Sequence, residues 1–330
     1  MTFPSKKVAV VGASGYSGEE LVRLLIRHPH AELVALTSRQ QAGQPLASVY
    51  PRFAGQRYAD LRFIETDVPA IVASGAEFVF LALPHGVATE FARPLLEAGL
   101  RVLDLSADFR IKDVAIYEEF YGEKHHAPEL AARSVYGLPE IYRSQIRGAQ
   151  LIACAGCYPT SILVPLVPLL EEELLEPSSI AISSMSGVSG AGRNAKIDYL
   201  FAECNESLRA YGIPKHRHLA EVEQELTIAA GERVTVSFTP HLVPVTRGIH
   251  TTIFSTLRQG VDPASIGVIL HEIYDEEPFV RVLNGGLLPD TKYVTGTNFV
   301  DIAWRHDPRT GRVVLLSAED NLTKGAAGQA

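Results

Sequence analysis

Residues 8–27 constrain the fold more than any other stretch. A β-branched run, Val8–Val11, enters the turn Gly12-Ala-Ser-Gly15-Tyr-Ser-Gly18. Glu19–Arg27 follows, with Leu21, Leu24 and Leu25 at helical spacing before His28-Pro29. A strand that passes through a glycine turn into an amphipathic helix is the opening of a βαβ unit. The rhythm then repeats: Glu32–Leu36, Glu77–Leu83 and Arg101–Leu105 read as strands, with a helix over Val87–Ala98. Such alternation predicts a parallel sheet covered by helices on both faces.

The pattern changes after about Gln150. Leu151–Ala153 leads to a second glycine-containing turn and a helix from about Pro159. Strands are expected at Ser179–Met185, Arg233–Phe238, His250–Leu257 and Val313–Ser317, with helices at Ala195–Tyr211, Leu219–Ala230 and Pro263–Tyr274. Strands mixed with helices in this way point to a separate α+β domain. A chain of 330 residues is long enough for two domains and needs no disulfide or metal to fold.

Charge and cysteine content narrow the function classes. Thirty basic against 38 acidic residues give a net charge of −8, which argues against a nucleic-acid binder. Three cysteines, Cys154, Cys157 and Cys204, are too few for a disulfide scaffold. The apolar stretch Ile162–Leu170 is interrupted by Pro165 and Pro168 and runs into three glutamates, well short of the roughly 18 apolar residues of a membrane span. No membrane partner is expected, and the reading is a cytoplasmic protein.

The glycine turn is spaced GxxGxxG. At a first strand–helix junction, glycines permit a tight turn and the N–H groups opening the helix can face a pyrophosphate; an ordinary glycine-rich turn has the same spacing. The second strand ends in Thr37-Ser38-Arg39 with no acid until Asp60. A hydroxyl and a guanidinium there suit a ribose 2′-phosphate, so NADPH/NADP+ is expected rather than NAD, unless Arg39 is a solvated surface group.

Cys157 lies in Ala155-Gly-Cys-Tyr-Pro-Thr-Ser161. A cysteine at a helix start feels the positive end of the helix dipole, which favours the thiolate; a buried structural cysteine is the alternative. Cys154 and Cys157 form a CxxC, but a zinc site needs two further ligands and Cys204 is the one thiol left, so no metal is expected. Lys215-His-Arg-His218 is a cationic cluster followed by Glu221. A histidine there could serve a thiolate as acid or base, oriented by the carboxylate if the segment is helical; a solvated basic turn would look the same. Arg110 and Arg247 each end a strand-like run, where they could hold a substrate anion or sit in structural ion pairs.

Taken in order, GASGYSGEEL, FLALPHG, DLSADFR, YGLPE, GCYPTS, SGVSGAGR, KHRH, FTPHLVPVTRGI and NLTKGAAGQA resemble the N-acetyl-γ-glutamyl-phosphate reductases along nearly the whole chain. The resemblance implies a Rossmann-type NADP domain, here 1–150 plus about 316–330. It also implies a catalytic and oligomerisation α+β domain of the glyceraldehyde-phosphate dehydrogenase type at 151–315, and a homodimer or homotetramer. It makes Cys157 the nucleophile that forms a thioester and His216 the acid/base, with His218 and Glu221 nearby. Gly12, Ser14, Gly15, Tyr16, Ser17 and Gly18 would hold the pyrophosphate, and Ser38 and Arg39 the 2′-phosphate. Pro84, Ser189, Gly190 and Asn321 would border the cofactor, with Arg110 on the substrate phosphate and Arg247 on a carboxylate. Two departures stand out: Leu219-Ala220-Glu221 follows KHRH where the family usually has a proline, and Cys154 is unusual. The alternatives are a reductase of carrier-bound aminoadipyl phosphate and a non-catalytic NADP-binding redox sensor.

Overall fold

The computed structural model describes residues 4–330, which divide into two compact units. The first contains residues 4–118, 123–155 and 326–330; the second contains 119–122 and 156–325.

In the first unit seven strands form one sheet: β1 Lys6–Val11, β2 Ala31–Thr37, β3 Phe63–Ile64, β4 Phe78–Leu81, β5 Arg101–Asp104, β6 Val135–Gly137 and β7 Leu151–Cys154. All pair in parallel, in the order β3-β2-β1-β4-β5-β7-β6. The alternation of side chains along each strand supplies both faces. Val8, Val10, Leu33, Phe80 and Leu103 join one apolar cluster, while Ala9, Val11, Ala35, Val79 and Val102 join the other. The order reverses between β1 and β4, and in open parallel sheets the crevice at the carboxyl ends of such strands is where ligands bind. The residues that leave β1 and β4 there are the Gly12 turn and the Pro84 loop. They touch so closely that a Cβ on Gly12, whose φ is +80°, would stand 2.4 Å from Ala82 O.

The second unit holds a mixed sheet: β8 Ala181–Gly187, β9 Arg209–Ala210, β10 Ser237–Val243, β11 Ile249–Thr256, β12 Val280–Val282, β13 Val300–Asp307 and β14 Arg312–Glu319, in the order β12-β13-β14-β11-β8-β10-β9. Val313, Leu315 and Ser317 are buried on one face. On the other, Phe254 and Met185 remain 39 % and 42 % exposed.

The helix Cys157–Glu171 packs on the buried face and is continuous through both Pro165 and Pro168. Proline lacks the N–H that would bond the carbonyl four residues earlier. Both freed carbonyls are taken up by side chains: Ser317 Oγ donates to Ser161 O at 2.6 Å, and Tyr274 Oη donates to Val164 O at 2.6 Å. Two hydroxyls therefore lock this helix to its neighbours where its own ladder is broken.

Three expectations are corrected. No single helix covers 195–211: the segment forms a 3-10 turn at Ile197–Tyr199, a short helix at Phe201–Cys204 and β9. Ile197 and Phe201, at 75 % and 82 % exposed, bury no face that would hold a longer helix. The strand expected at Arg233–Phe238 starts only at Ser237, because the backbone N–H groups of Val234 and Val236 are held by Thr227 Oγ1 and Glu223 Oε1. The return to the first unit, expected at about 316, comes later. Leu316–Glu319 complete the β14 ladder against β11 and β13, and only residues 326–330 group with the first unit.

Candidate active site

The Gly12–Gly18 turn is fixed from below by the end of β2. Ala13 N–H donates to Thr37 O, Gly12 N–H to Thr37 Oγ1, Ser38 Oγ–H to Ser14 Oγ at 2.9 Å, and Tyr50 Oη–H to Ser14 O at 2.9 Å. Gly15 caps the helix Tyr16–Arg27, so the N–H groups of Tyr16 and Ser17 open it. Of the three glycines, two are required by the chain itself: a Cβ on Gly18 would stand 2.3 Å from Gly12 O, as one on Gly12 collides with Ala82 O. Gly15 differs. Its φ is ordinary, and a Cβ there would meet only Gly12 O at 3.6 Å. The space over Gly15 at a helix N-terminus is a fit for a pyrophosphate approaching the backbone. Ser38 is buried within this network and Arg39, the next residue, is exposed.

Arg110 is 6 % exposed, and its Nη2 donates to Leu105 O at 2.8 Å. It lies in the electrostatic field of Asp104, whose carboxyl is fully buried and held by Ser106 N and Oγ. Burial, then Asp108, push the Asp104 pKa up to about 7, while Ser106 and Arg110 pull it back. Arg110 therefore braces the DLSADFR loop. Cys154 is in the same field: burial, then Asp104, push its thiol up to about 12, so it stays protonated and unreactive.

In the second unit Cys157 is the first residue of its helix, two positions ahead of the expected start, and it is half-buried. Gly156 caps that helix, and its N–H donates to Glu221 Oε1 at 2.9 Å. Glu221 lies in the first turn of the helix His218–Ala230 and is fully buried. The geometry thus gives Glu221 a task other than the one expected of it: it ties the thiol-bearing turn to a second helix. Replacing Glu221 with alanine leaves the Gly156 N–H buried without that acceptor, so a loss of about 1–3 kcal/mol in urea unfolding is expected.

His216 sits in a cage of rings, with centroids 5.4 Å from Tyr158, 5.5 Å from Tyr211, 5.1 Å from His218 and 5.6 Å from Phe238. Burial, then the Arg217 charge, lower its pKa to about 4, which makes it a neutral imidazole near pH 7. Its Nδ1 accepts the His218 N–H at 3.2 Å, which leaves the proton on Nε2. Tyr158 and Tyr211 share a hydroxyl–hydroxyl bond of 2.9 Å, and both phenols are raised, Tyr211 to about 12, mainly by burial. The two cations of the KHRH cluster are engaged in packing: Lys215 pairs with Glu119 at 2.7 Å, and Arg217 lies 5.7 Å over the Tyr121 ring.

Asn321 is buried and joins two loops, accepting the Gly248 N–H at 2.9 Å through Oδ1 and donating to Ser189 Oγ at 3.0 Å. A Cβ on Gly190 would come within 3.6 Å of its Nδ2. Arg247 pairs with the buried Asp320 at 3.2 Å. Sequence reasoning missed Tyr158, Tyr211, Glu319 and Gly325. The last is packed so tightly that a Cβ on it would stand 2.6 Å from Cys157 Cβ and 2.8 Å from Glu319 Oε1. GCYPTS places Tyr158 beside the thiol in the sequence; nothing local marks the other three.

A parallel dinucleotide-type sheet, a thiol at a helix start and a mixed second sheet together define a two-domain protein of the semialdehyde dehydrogenase class. Residues 7–149 match the semialdehyde dehydrogenase NAD binding domain and residues 157–321 the semialdehyde dehydrogenase dimerisation domain. Aspartate semialdehyde dehydrogenase II from Vibrio cholerae superposes with a TM-score of 0.73 over 98 % of this chain and 96 % of that one, at 18 % identity, a likeness of fold. Sequence relatives are much nearer. N-acetyl-gamma-glutamyl-phosphate reductase of Akkermansia muciniphila is 57 % identical over 98 % of this chain and 93 % of the relative, and that of Desulforudis audaxviator 51 % identical over the same shares. The chain belongs to the N-acetyl-γ-glutamyl-phosphate reductase family.

Proposed function

We propose that the protein reduces N-acetyl-L-glutamyl 5-phosphate to N-acetyl-L-glutamate 5-semialdehyde and phosphate, with NADPH as reductant, as a step of arginine biosynthesis in the cytoplasm. One observation carries the chemistry: Cys157 opens its helix, on a turn tied down by Glu221. A thiolate there is favoured by the helix dipole and is nucleophilic at neutral pH.

The Cys157 thiolate attacks the acyl carbon of the substrate, and phosphate leaves with the electron pair of the C–O bond, giving a thioester on Cys157. N–H groups of the first helical turn stabilise the oxyanion that forms on the way. NADPH, when bound, supplies the hydride that takes the thioester to the aldehyde level. The neutral His216 donates from Nε2–H to the developing oxygen, and collapse of the tetrahedral species returns the thiolate. This refines the acid/base role expected for His216: a ring whose pKa is lowered to about 4 acts as a neutral donor. Arg110 is proposed for the phosphate and Arg247 for the carboxylate, with His218 beside His216. Gly12–Gly18 would hold the pyrophosphate, Ser38 and Arg39 the 2′-phosphate, and Pro84, Ser189, Gly190 and Asn321 the cofactor's remaining borders.

Among the described residues no helix is long and apolar enough to cross a membrane. The dimerisation-domain match and the partly exposed Phe254 and Met185 on the open face of the second sheet support a homodimer or homotetramer.

The direct test is the reverse reaction, following NADP+ reduction by N-acetylglutamate 5-semialdehyde with and without phosphate. Phosphate-dependent NADPH formation supports the reading. Its absence in a folded, NADP-binding sample would turn attention to the carrier-bound substrate. The cofactor choice has its own test: Arg39→Ala should raise KM for NADPH about tenfold or more and leave that for NADH nearly unchanged, since one charge-assisted pair to the 2′-phosphate is removed.

A further inference from the structure

The thioester chemistry uses the helix start and His216 but leaves one buried acid beside the nucleophile without a task. Glu319 ends β14, paired in register with Ile249 and Val300, and is fully buried. It lies two residues beyond Ser317 and therefore on the same face of the strand. Ser317 Oγ bonds Ser161 O on the Cys157 helix, and Cys157 is one turn before Ser161. The seam that joins Ser317 to Ser161 thus carries Glu319 to Cys157. Gly325 gives an independent measure of the approach: one point, the site of its missing Cβ, is 2.6 Å from Cys157 Cβ and 2.8 Å from Glu319 Oε1.

Other charged groups around this corner have definable positions. Glu221 accepts the Gly156 N–H, Asp320 is paired with Arg247 and also accepts the Gly296 N–H, and Lys324, 1 % exposed, directly precedes Gly325. A second negative charge added beside an ionised Glu319 would be a like-charge pair out of water, which is strongly disfavoured.

We propose that Glu319 tunes the ionisation of Cys157, the thiol and the carboxyl holding a single proton between them at neutral pH. The Cys157 S–H bond breaks as an O–H bond forms on the Glu319 carboxylate, so the negative charge moves from oxygen to sulfur and the net charge of the pair stays the same. The thiolate then forms without a second buried charge, and Gly325 is glycine because any side chain would separate the two groups. This inference rests on Cys157 being the nucleophile.

The test is the pH dependence of Cys157 alkylation by iodoacetamide in the full chain, read by peptide mass spectrometry so that Cys154 and Cys204 are counted separately. Two groups sharing a proton titrate as a pair, so the wild-type rate should rise in two steps. Glu319→Gln should rise in one, with its midpoint about one pH unit or more below the wild-type upper step. Glu319→Asp should restore two steps. A single wild-type step, or a Glu319→Gln profile that overlays the wild type, overturns the proposal. The wild-type profile alone decides the matter if the glutamine variant fails to fold. Failure of the underlying reading has a different signature, turnover that survives Cys157→Ala, which no alkylation profile can imitate.

Discussion

Replacing Cys157 with alanine is expected to lower turnover in either direction by at least about 10⁴-fold, because removing the attacking atom of a covalent mechanism leaves only binding and oxyanion stabilisation. NADPH affinity, measured by fluorescence titration, should stay within about twofold, since the Gly12 turn is held by Thr37, Ser38 and Tyr50 within the first unit. Stability should also hold, because Gly156, not Cys157, carries the bond to Glu221. Joint loss of turnover, cofactor binding and the cooperative thermal transition would make Cys157 a structural residue.

Gly325→Ala is the second large effect, at a position whose φ is not strained. The added Cβ would meet Cys157 Cβ at 2.6 Å, Cys157 Cα at 3.0 Å and Glu319 Oε1 at 2.8 Å, and two of these atoms belong to the rigid start of a helix. The thiol must shift by several tenths of an ångström or the final segment must move. A displacement of about 1 Å at a reacting group costs on the order of 10²-fold. The expected result is a kcat fall of that order, with KM for NADPH little changed and Cys157 alkylation altered in its pH profile. A variant with wild-type kcat would show that the packing around the thiol is softer than these distances require.

Both features that define the reaction were legible locally. The Gly12 turn and the Cys157 turn each consist of consecutive residues in which a strand becomes a helix, so spacing and residue type suffice to place N–H groups and a thiol. The proline pair in the Cys157 helix reads, in isolation, as an interruption. It is tolerated because Ser317 and Tyr274, far along the chain, supply the two missing donors. The segment 195–211 failed for the opposite reason. Its composition suits a helix, but no partner covers Ile197, Leu200 or Phe201, and short helices depend on such cover.

Glu221 shows where sequence pattern points to the right residue and the wrong task. Its spacing from His218 suggests a helix-mate that orients an imidazole, yet its carboxylate crosses to the N–H of Gly156, 65 positions earlier. The lowered pKa of His216 likewise comes from burial among Tyr158, Tyr211 and Phe238, which no residue within KHRH foretells.

The order of elements, the glycine turn, the nucleophile and the family were therefore determined by the sequence alone, because each is written in contiguous residues. Which acids face the thiol, which charge state the histidine holds and which glycine keeps space open at Cys157 were decided by tertiary structure. Those properties depend on burial and on distances between strands and helices far apart in the chain, and a local pattern encodes neither.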